Sequence, residues 1–370
     1  MSEPLLEVLP PLSPTVYLRR PARERPPFPL GEPGLVLYSR ARHGIYTALR
    51  HLGLGPGDEV LAPAYHHGSE IEAVVSAGLA CRFYEGTERL EPDEAELESL
   101  LGPRVRMLHV THYLGFPQDA VRWRSWCNEH ELLLLEDTAQ AWLATLADGS
   151  PAGSAGDLAV FCLYKALGVP DGAALRLRDG THGFVGPNSS APGVGGTVRC
   201  HVLWLLSRSG AFSRLARRRR EPYDAAQDFA LGDARRGPLA LTLRLLPRLA
   251  TNEAAAARRT NYRRLLNALG EHVSPPFDEL PAGASPFCFP VETERKAEVL
   301  ARLQRAHIAA IDFWSMPHAS LPVDRFPQAA RRRARTIGLP VHQELRAEDV
   351  ARIGATAAAA LAGASRSEKR

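Results

Sequence analysis

Between residues 45 and 177 the chain alternates short apolar runs with helix-periodic stretches, and this alternation limits the fold more than any other feature. Strands apolar on both faces need helices on both sides, so consecutive strand–helix units imply a mostly parallel, covered sheet. A helix over 45–52 is closed by Gly53-Leu54-Gly55-Pro56-Gly57-Asp58 and followed by a strand over 59–63. The unit repeats as a helix over 70–77 with a strand over 80–84, then a helix over 92–101 with Pro92 at its first position and a strand over 105–110. A helix over 121–130 and a buried strand over 132–135 complete the series. Segments 158–163 and 172–177 read as a hairpin extending the sheet around Lys165.

The expected class is therefore α/β, with a large domain over 35–250 behind a Pro- and Arg-rich extended arm over 1–34. A small C-terminal α+β domain over 251–370 is read from an Ala- and Arg-rich helix ending at Leu269, a strand over 287–291, and helices over 296–304 and 347–361. Residues 178–240 are Gly/Pro-rich and poorly periodic, consistent with a lid or with packing at a subunit interface.

With 370 residues, 45% of them hydrophobic and 23% charged, the chain can bury a large core. No apolar run approaches the roughly 20 residues that cross a bilayer, and no basic n-region precedes an apolar segment, so no membrane association and a cytoplasmic location are expected. The five cysteines form no C-x-x-C pair and there is no His cluster at ligand spacing, so no metal site is expected. The net charge of +4 is spread out. Its densest cluster, Arg214 with Arg217, Arg218, Arg219 and Arg220, lacks interleaved aromatic residues, which argues against nucleic-acid binding.

Of 45 Lys and Arg residues only three are lysine. Lys296 lies in a charged stretch and Lys369 in the C-terminal tail, but Lys165 sits in a largely apolar run. Arginine replaces lysine wherever a plain positive charge suffices, but not where an amine must shed its proton and attack a carbonyl. Lys165 is therefore read as a Schiff-base amine whose pKa desolvation would bring toward neutrality. Upstream, an apolar strand stops at Glu136-Asp137. A carboxylate at the C-terminal end of a parallel strand could hold a protonated pyridine nitrogen; the alternative is a helix N-cap or a loop ion pair. Residues 38–44, Tyr-Ser-Arg-Ala-Arg-His-Gly, lead into the first helix and offer N–H groups and guanidiniums to an anion. Tyr65-His66-His67 follows a strand and offers faces on which a flat ligand could stack.

The order of these segments resembles the pyridoxal-phosphate-dependent DegT/DnrJ/StrS aminotransferases, whose best-known members aminate nucleotide-linked keto sugars. The matching stretches are Gly55-Pro56-Gly57-Asp58-Glu59-Val60-Leu61-Ala62-Pro63-Ala64-Tyr65, then Val110-Thr111-His112-Tyr113-Leu114-Gly115-Phe116-Pro117, then Glu136-Asp137-Thr138-Ala139-Gln140, and Gly153-Ser154-Ala155-Gly156-Asp157 ahead of Lys165.

The resemblance implies fold type I, with a seven-stranded-type sheet, a small C-terminal domain and a homodimer. It also implies an aminotransferase that moves an amino group from an amino-acid donor, glutamate or glutamine, to a small-molecule ketone or aldehyde. By the same resemblance Lys165 would hold the cofactor covalently, Asp137 its pyridine nitrogen and Gln140 its phenolic oxygen. His67 would stack on the ring, the backbone of Ala41, Arg42 and His43 would face the phosphate, and His112 would lie near the site. The chain departs from the family in two places. Cys162 stands where no Ser or Thr precedes the lysine, which shifts phosphate binding toward Arg42, and the Asn-Tyr-Arg-Met stretch is not recognisable in residues 178–250. Other chemistry on the same cofactor, or a non-catalytic cofactor-binding homologue, are the alternatives.

Overall fold

The structure is a computed structural model and describes residues 3–21, 24–178, 180, 183–188, 191–207 and 224–365. The cluster of Arg214 and Arg217, Arg218, Arg219 and Arg220 lies outside the described residues, as does Lys369. In chain order, β1 (Leu6–Glu7) and β2 (Val36–Tyr38) precede α1 (Ala41–His51), β3 (Glu59–Pro63), α2 (Ser69–Ser76), β4 (Ala80–Tyr84), α3 (Glu94–Ser99), β5 (Val105–Thr111), α4 (Ala120–Glu129) and β6 (Leu133–Asp137). Then come β7 (Leu158–Cys162), α5 (Leu163–Leu167), β8 (Ala173–Leu177), α6 (Val194–Ser207), α7 (Ala225–Phe229) and α8 (Ala240–Leu249). The C-terminal unit holds α9 (Glu253–Leu269), β9 (Cys288–Glu292), α10 (Lys296–Arg305), β10 (Ile308–Ala309), β11 (Ile311–Asp312), α11 (Pro327–Arg335), β12 (Thr336–Pro340) and α12 (Ala347–Ser365).

Seven strands form the main sheet in the order β2-β8-β7-β6-β5-β3-β4. Strands β7, β6, β5, β3 and β4 are mutually parallel, while β8 runs antiparallel to both β7 and β2. The C-terminal ends of β3, β5, β6 and β7 thus lie on one edge, where ligands of parallel sheets bind. A second, antiparallel sheet orders β11-β12-β9.

The expected α/β class and mostly parallel sheet are present, with local corrections. Pro92 lies outside α3, because the Asp93 side chain accepts the Glu96 N–H and fixes the start there. Strand β6 runs on through Glu136 and Asp137, so the carboxylate pair closes the strand instead of following it. Helices α6, α7 and α8 occupy the stretch read as poorly periodic and its sequel; α8 carries Pro247 near its C-terminus. Strand β1 pairs in parallel with β10, so the N-terminal arm is fastened to the C-terminal unit. We propose the boundary between the two domains at the turn between α8 and α9.

Lys296, which lies in a charged stretch of the sequence, is buried. Its Nζ donates to the Arg333 carbonyl at 2.6 Å and is ion-paired with Asp312, so this amine is a packing element. No helix among the described residues is long and apolar enough to cross a membrane, and none of their His, Cys, Asp and Glu side chains cluster as a metal site.

Candidate active site

A cavity of about 460 Å³ opens at the strand ends, lined among others by Arg42, His67, Asp137, Gln140, Lys165 and Trp314. Asp137 and Gln140 come from the end of β6 and the turn after it, and the other four each from a different place in the chain. Lys165 rides on α5, the five-residue helix that directly follows β7. It is enclosed by protein yet keeps surface toward the cavity, with Nζ 5.8 Å from the centre of the Phe287 ring. Burial pushes its pKa down, but Cys162, Tyr164, Asp137 and Glu70 together outweigh burial and set it above the ordinary lysine value. The sequence-based expectation of an amine titrating near neutrality is thereby corrected. Desolvation acts as foreseen, but these four neighbours reverse its sign.

Asp137 ends β6 and is 7% exposed. Its Oδ1 accepts the Ala139 N–H at 2.8 Å, and Oδ2 lies 3.8 Å from His109 Nε2. Burial would raise its pKa, but His109, the Ala139 amide and Lys165 outweigh that and hold the carboxyl below its usual range. An ionised carboxylate therefore faces the cavity. Gln140 accepts the Leu114 N–H on Oε1 at 2.9 Å, which orients its amide NH₂ away from Leu114.

His67 flanks the cavity and packs edge-on against Phe229, ring centres 5.6 Å apart, and against Trp314 at 6.3 Å. Burial depresses its pKa, so the ring is neutral at pH 7. Phe229 reaches this place because Gly68, at φ +121, has no side chain; a Cβ there would collide with the Phe229 ring. Helix α7, from the stretch read as irregular, thus closes over the site and contributes Gln227 and Asp228 to its wall.

The starts of α1 and α2 both border the cavity, and they differ in what they offer an anion. At α2 the Glu70 carboxylate accepts the N–H groups of His67 and Gly68, at 2.8 and 3.2 Å. At α1 there is neither an acidic residue in the first turn nor a side-chain cap. The amides of Ala41 and Arg42 head that helix between the Arg40 and Arg42 side chains. Arg40 lies 4.8 Å over the Tyr164 ring, and Arg42 donates through Nη1 to the Asp228 carbonyl. Burial first, then Arg40, lowers the Arg42 pKa, a cost that an anion would relieve.

Three expected site residues stand elsewhere or act differently. The His43 N–H is taken by the Arg40 carbonyl at 3.2 Å, and its ring nitrogens meet Ser39 Oγ and the Leu231 carbonyl, so His43 fastens α1 to residue 231 and does not line the cavity. His112 lies behind the wall. The Gln118 N–H donates to its Nδ1, which places the ring proton on Nε2 toward Glu136, 2.9 Å away. Cys162 does line the cavity, but burial raises its thiol pKa and leaves a neutral, weak S–H. Sequence reasoning missed His109 and Trp314. A histidine between Leu108 and Val110 of β5 marked the first; Trp314 has no local signal, since it arrives from the C-terminal unit at φ 52.

Residues 31–182 match the model of the DegT/DnrJ/EryC1/StrS aminotransferase family. A UDP-N-acetyl-3-dehydro-alpha-D-glucosamine 3-aminotransferase of Acidithiobacillus ferrooxidans is 32% identical over 139 residues, 36% of this chain and 37% of that protein. A dTDP-3-amino-3,4,6-trideoxy-alpha-D-glucose transaminase of Streptomyces venezuelae is 34% identical over 141 residues, 36% of each chain. The chain thus matches little more than a third of the length of these relatives. Likeness of fold reaches further. The aminotransferase TlmJ from Streptoalloteichus hindustanus superposes with a TM-score of 0.64 at 25% identity, covering 90% of this chain and 87% of that one. The PLP-form of a putative sugar aminotransferase, Spr1654 from Streptococcus pneumoniae, does so at 0.63 and 17% identity, covering 89% and 87%.

Proposed function

We propose that this chain, which belongs to the DegT/DnrJ/EryC1/StrS aminotransferase family, transfers an amino group from an amino-acid donor, glutamate or glutamine, to a keto group of a nucleotide-linked sugar. The observation that carries the reading is one cavity walled by a half-buried lysine, an ionised carboxylate, a neutral imidazole and an uncapped helix start between two arginines. That donor set fits pyridoxal phosphate. Lys165 would hold the carbonyl carbon, Asp137 the ring nitrogen, His67 the ring face, and Ala41 and Arg42 the phosphate. Gln140 would offer its amide NH₂ to the phenolic oxygen. When bound, the cofactor supplies a ring that takes up the electron pair released at the substrate carbon.

The chain's own contribution is positioning and proton handling. Lys165 Nζ would carry the proton to and from the substrate α-carbon, since it is the basic group on the cavity wall with a flexible stem. Asp137 stays anionic because Ala139 and His109 stabilise its charge, and it would keep a facing nitrogen protonated. Trp314, Phe229 and His67 exclude water from one side.

The anionic acceptor is supported by a neighbouring cavity of about 800 Å³, which shares Arg40, Arg42 and Tyr164 with the first and adds Arg199, Arg236 and Trp204. Helix α6 borders it and exposes Val194, Val198, Val202 and Leu205 along one face. We propose that a second copy of the chain covers that stripe in a homodimer.

The test is to supply glutamate with a dTDP- or UDP-linked keto sugar and measure 2-oxoglutarate against aminated sugar. Equal amounts support the reading. A carbonyl product without aminated sugar would point to elimination, decarboxylation or carbon–carbon cleavage on the same cofactor.

A further inference from the structure

Two buried guanidiniums of the C-terminal unit hold backbone directly beside two cavity side chains. Arg258, on α9, is 3% exposed. Its Nη2 donates to the Ala166 carbonyl at 3.1 Å, its Nη1 to the Pro286 carbonyl at 3.2 Å and its Nε to Gln343 Oε1 at 2.9 Å. Gln343 Nε2 donates to the same Ala166 carbonyl at 2.9 Å. Arg333, on α11, is 4% exposed. Its Nη1 donates to the carbonyls of His66 and Trp314 at 2.9 and 2.7 Å, and its Nη2 to that of Ala64 at 2.8 Å. One clamp thus acts on the residue after Lys165, the other on the residue before His67 and on Trp314 itself.

The Ala166 clamp is needed because α5 is too short to hold its own carbonyls. A five-residue helix leaves its last four C=O groups without intrahelical partners, and Gly168 satisfies only that of Tyr164. Two donors from the C-terminal unit take the Ala166 oxygen. Among the described residues Arg258 has no carboxylate partner, and burial pushes its pKa down to about 10. An apolar side chain of similar volume would avoid that desolvation penalty. What it could not do is fix the direction of the Ala166 peptide, and with it the stem of Lys165.

We propose that Arg258 and Gln343 are positioning residues that set where the Lys165 amine stands in the cavity, and that Arg333 holds the His67 loop and Trp314 in the same frame. This rests on reading the cavity as a pyridoxal phosphate site. Misplacing a reacting group by about 1 Å can cost on the order of a hundredfold in rate. Loss of one of the two donors on Ala166 is accordingly expected to slow the reaction of the amine about tenfold.

The test uses the full chain without substrate and follows the visible band that pyridoxal phosphate develops on reaction with Lys165, its rate and pH midpoint, alongside Tm. Gln343→Ala and Arg258→Met are compared with Arg259→Ala, which removes a neighbouring guanidinium bound to the Ala284 carbonyl. The expected result is a band that forms about tenfold more slowly in Gln343→Ala, with a displaced pH midpoint, and at the wild-type rate in Arg259→Ala. Should Arg258→Met not fold, Gln343→Ala, half-buried at its edge, still decides. Wild-type rate and midpoint in the Gln343 variant, whatever its Tm, overturn the proposal alone. Absence of a band in the wild type overturns the cofactor reading and the proposal with it.

Discussion

Glu136 and Asp137 are consecutive on β6 and serve opposite sides of the sheet. Glu136 is fully buried and accepts from His112 Nε2 and the Gly153 N–H, both at 2.9 Å, and from the Gly156 N–H, while Asp137 turns to the cavity of Lys165. The alternation of a strand separates a carboxylate bonded behind the wall from one that faces the cavity. Glu136→Gln is expected to lower stability by about 3 kcal/mol, because its amide NH₂ would confront either the Gly156 N–H or the Gly153 N–H together with His112 Nε2. Asp137→Asn keeps its acceptor for Ala139 and should leave stability nearly unchanged while lowering turnover on the order of a hundredfold, about 2.7 kcal/mol of barrier. Urea unfolding and turnover measured on both variants check the pair.

On the proposed reading, Arg42 would take over the anion-binding task for which no Ser or Thr hydroxyl stands between Asp157 and Lys165. Arg42→Ala should weaken binding of pyridoxal phosphate roughly 10- to 100-fold while leaving affinity for unphosphorylated pyridoxal unchanged, the loss of a hydrogen bond to a charged group. Equilibrium dialysis with the two ligands separates a phosphate contact from a general loss of the site.

Acid should destabilise the protein through its buried histidines. Burial depresses the pKa values of His66 and His67, and burial with Arg258 beside it lowers that of His342 to about 3. A folded pKa below the unfolded value of about 6.5 means that the unfolded chain binds the proton first. The stability these residues confer is complete above that value and is lost as pH falls toward the folded values. His342→Asn should therefore take up about one proton fewer on unfolding between pH 6.5 and 4, seen as a shallower dependence of unfolding free energy on pH.

The seam between the two sheets runs through Gly115, at φ +91, whose carbonyl accepts the Ser285 N–H at 2.8 Å. A Cβ there would collide with the Ser285 carbonyl oxygen. Gly115→Ala combines this clash with left-handed strain and is expected to cost more than about 3 kcal/mol, measured as a shift in the urea midpoint.

What was legible in the sequence follows from where each signal lies. The main sheet could be read because its strands are apolar runs bounded by Gly and Pro. Lys165 and Asp137 could be read because each is an anomaly in or beside such a run. Arg258, Arg333 and Trp314 could not, since their importance lies in contacts with Ala166, His66 and Tyr65, far along the chain. The buried position of Lys296 under α11 was not legible either, since its neighbours in sequence are charged. The pKa of Lys165 was misjudged because burial could be inferred from the apolar run, but the combined opposing effect of Cys162, Tyr164, Asp137 and Glu70 could not.

The most direct test of the central claim, that Lys165 is the amine of a transaminating pyridoxal phosphate site, is the visible absorbance of the protein with the cofactor, beside Lys165→Ala, before and after glutamate. The account predicts a band in the wild type alone that glutamate bleaches with release of one 2-oxoglutarate per site. The same band in Lys165→Ala, or a wild-type band that neither glutamate nor glutamine alters, would contradict it.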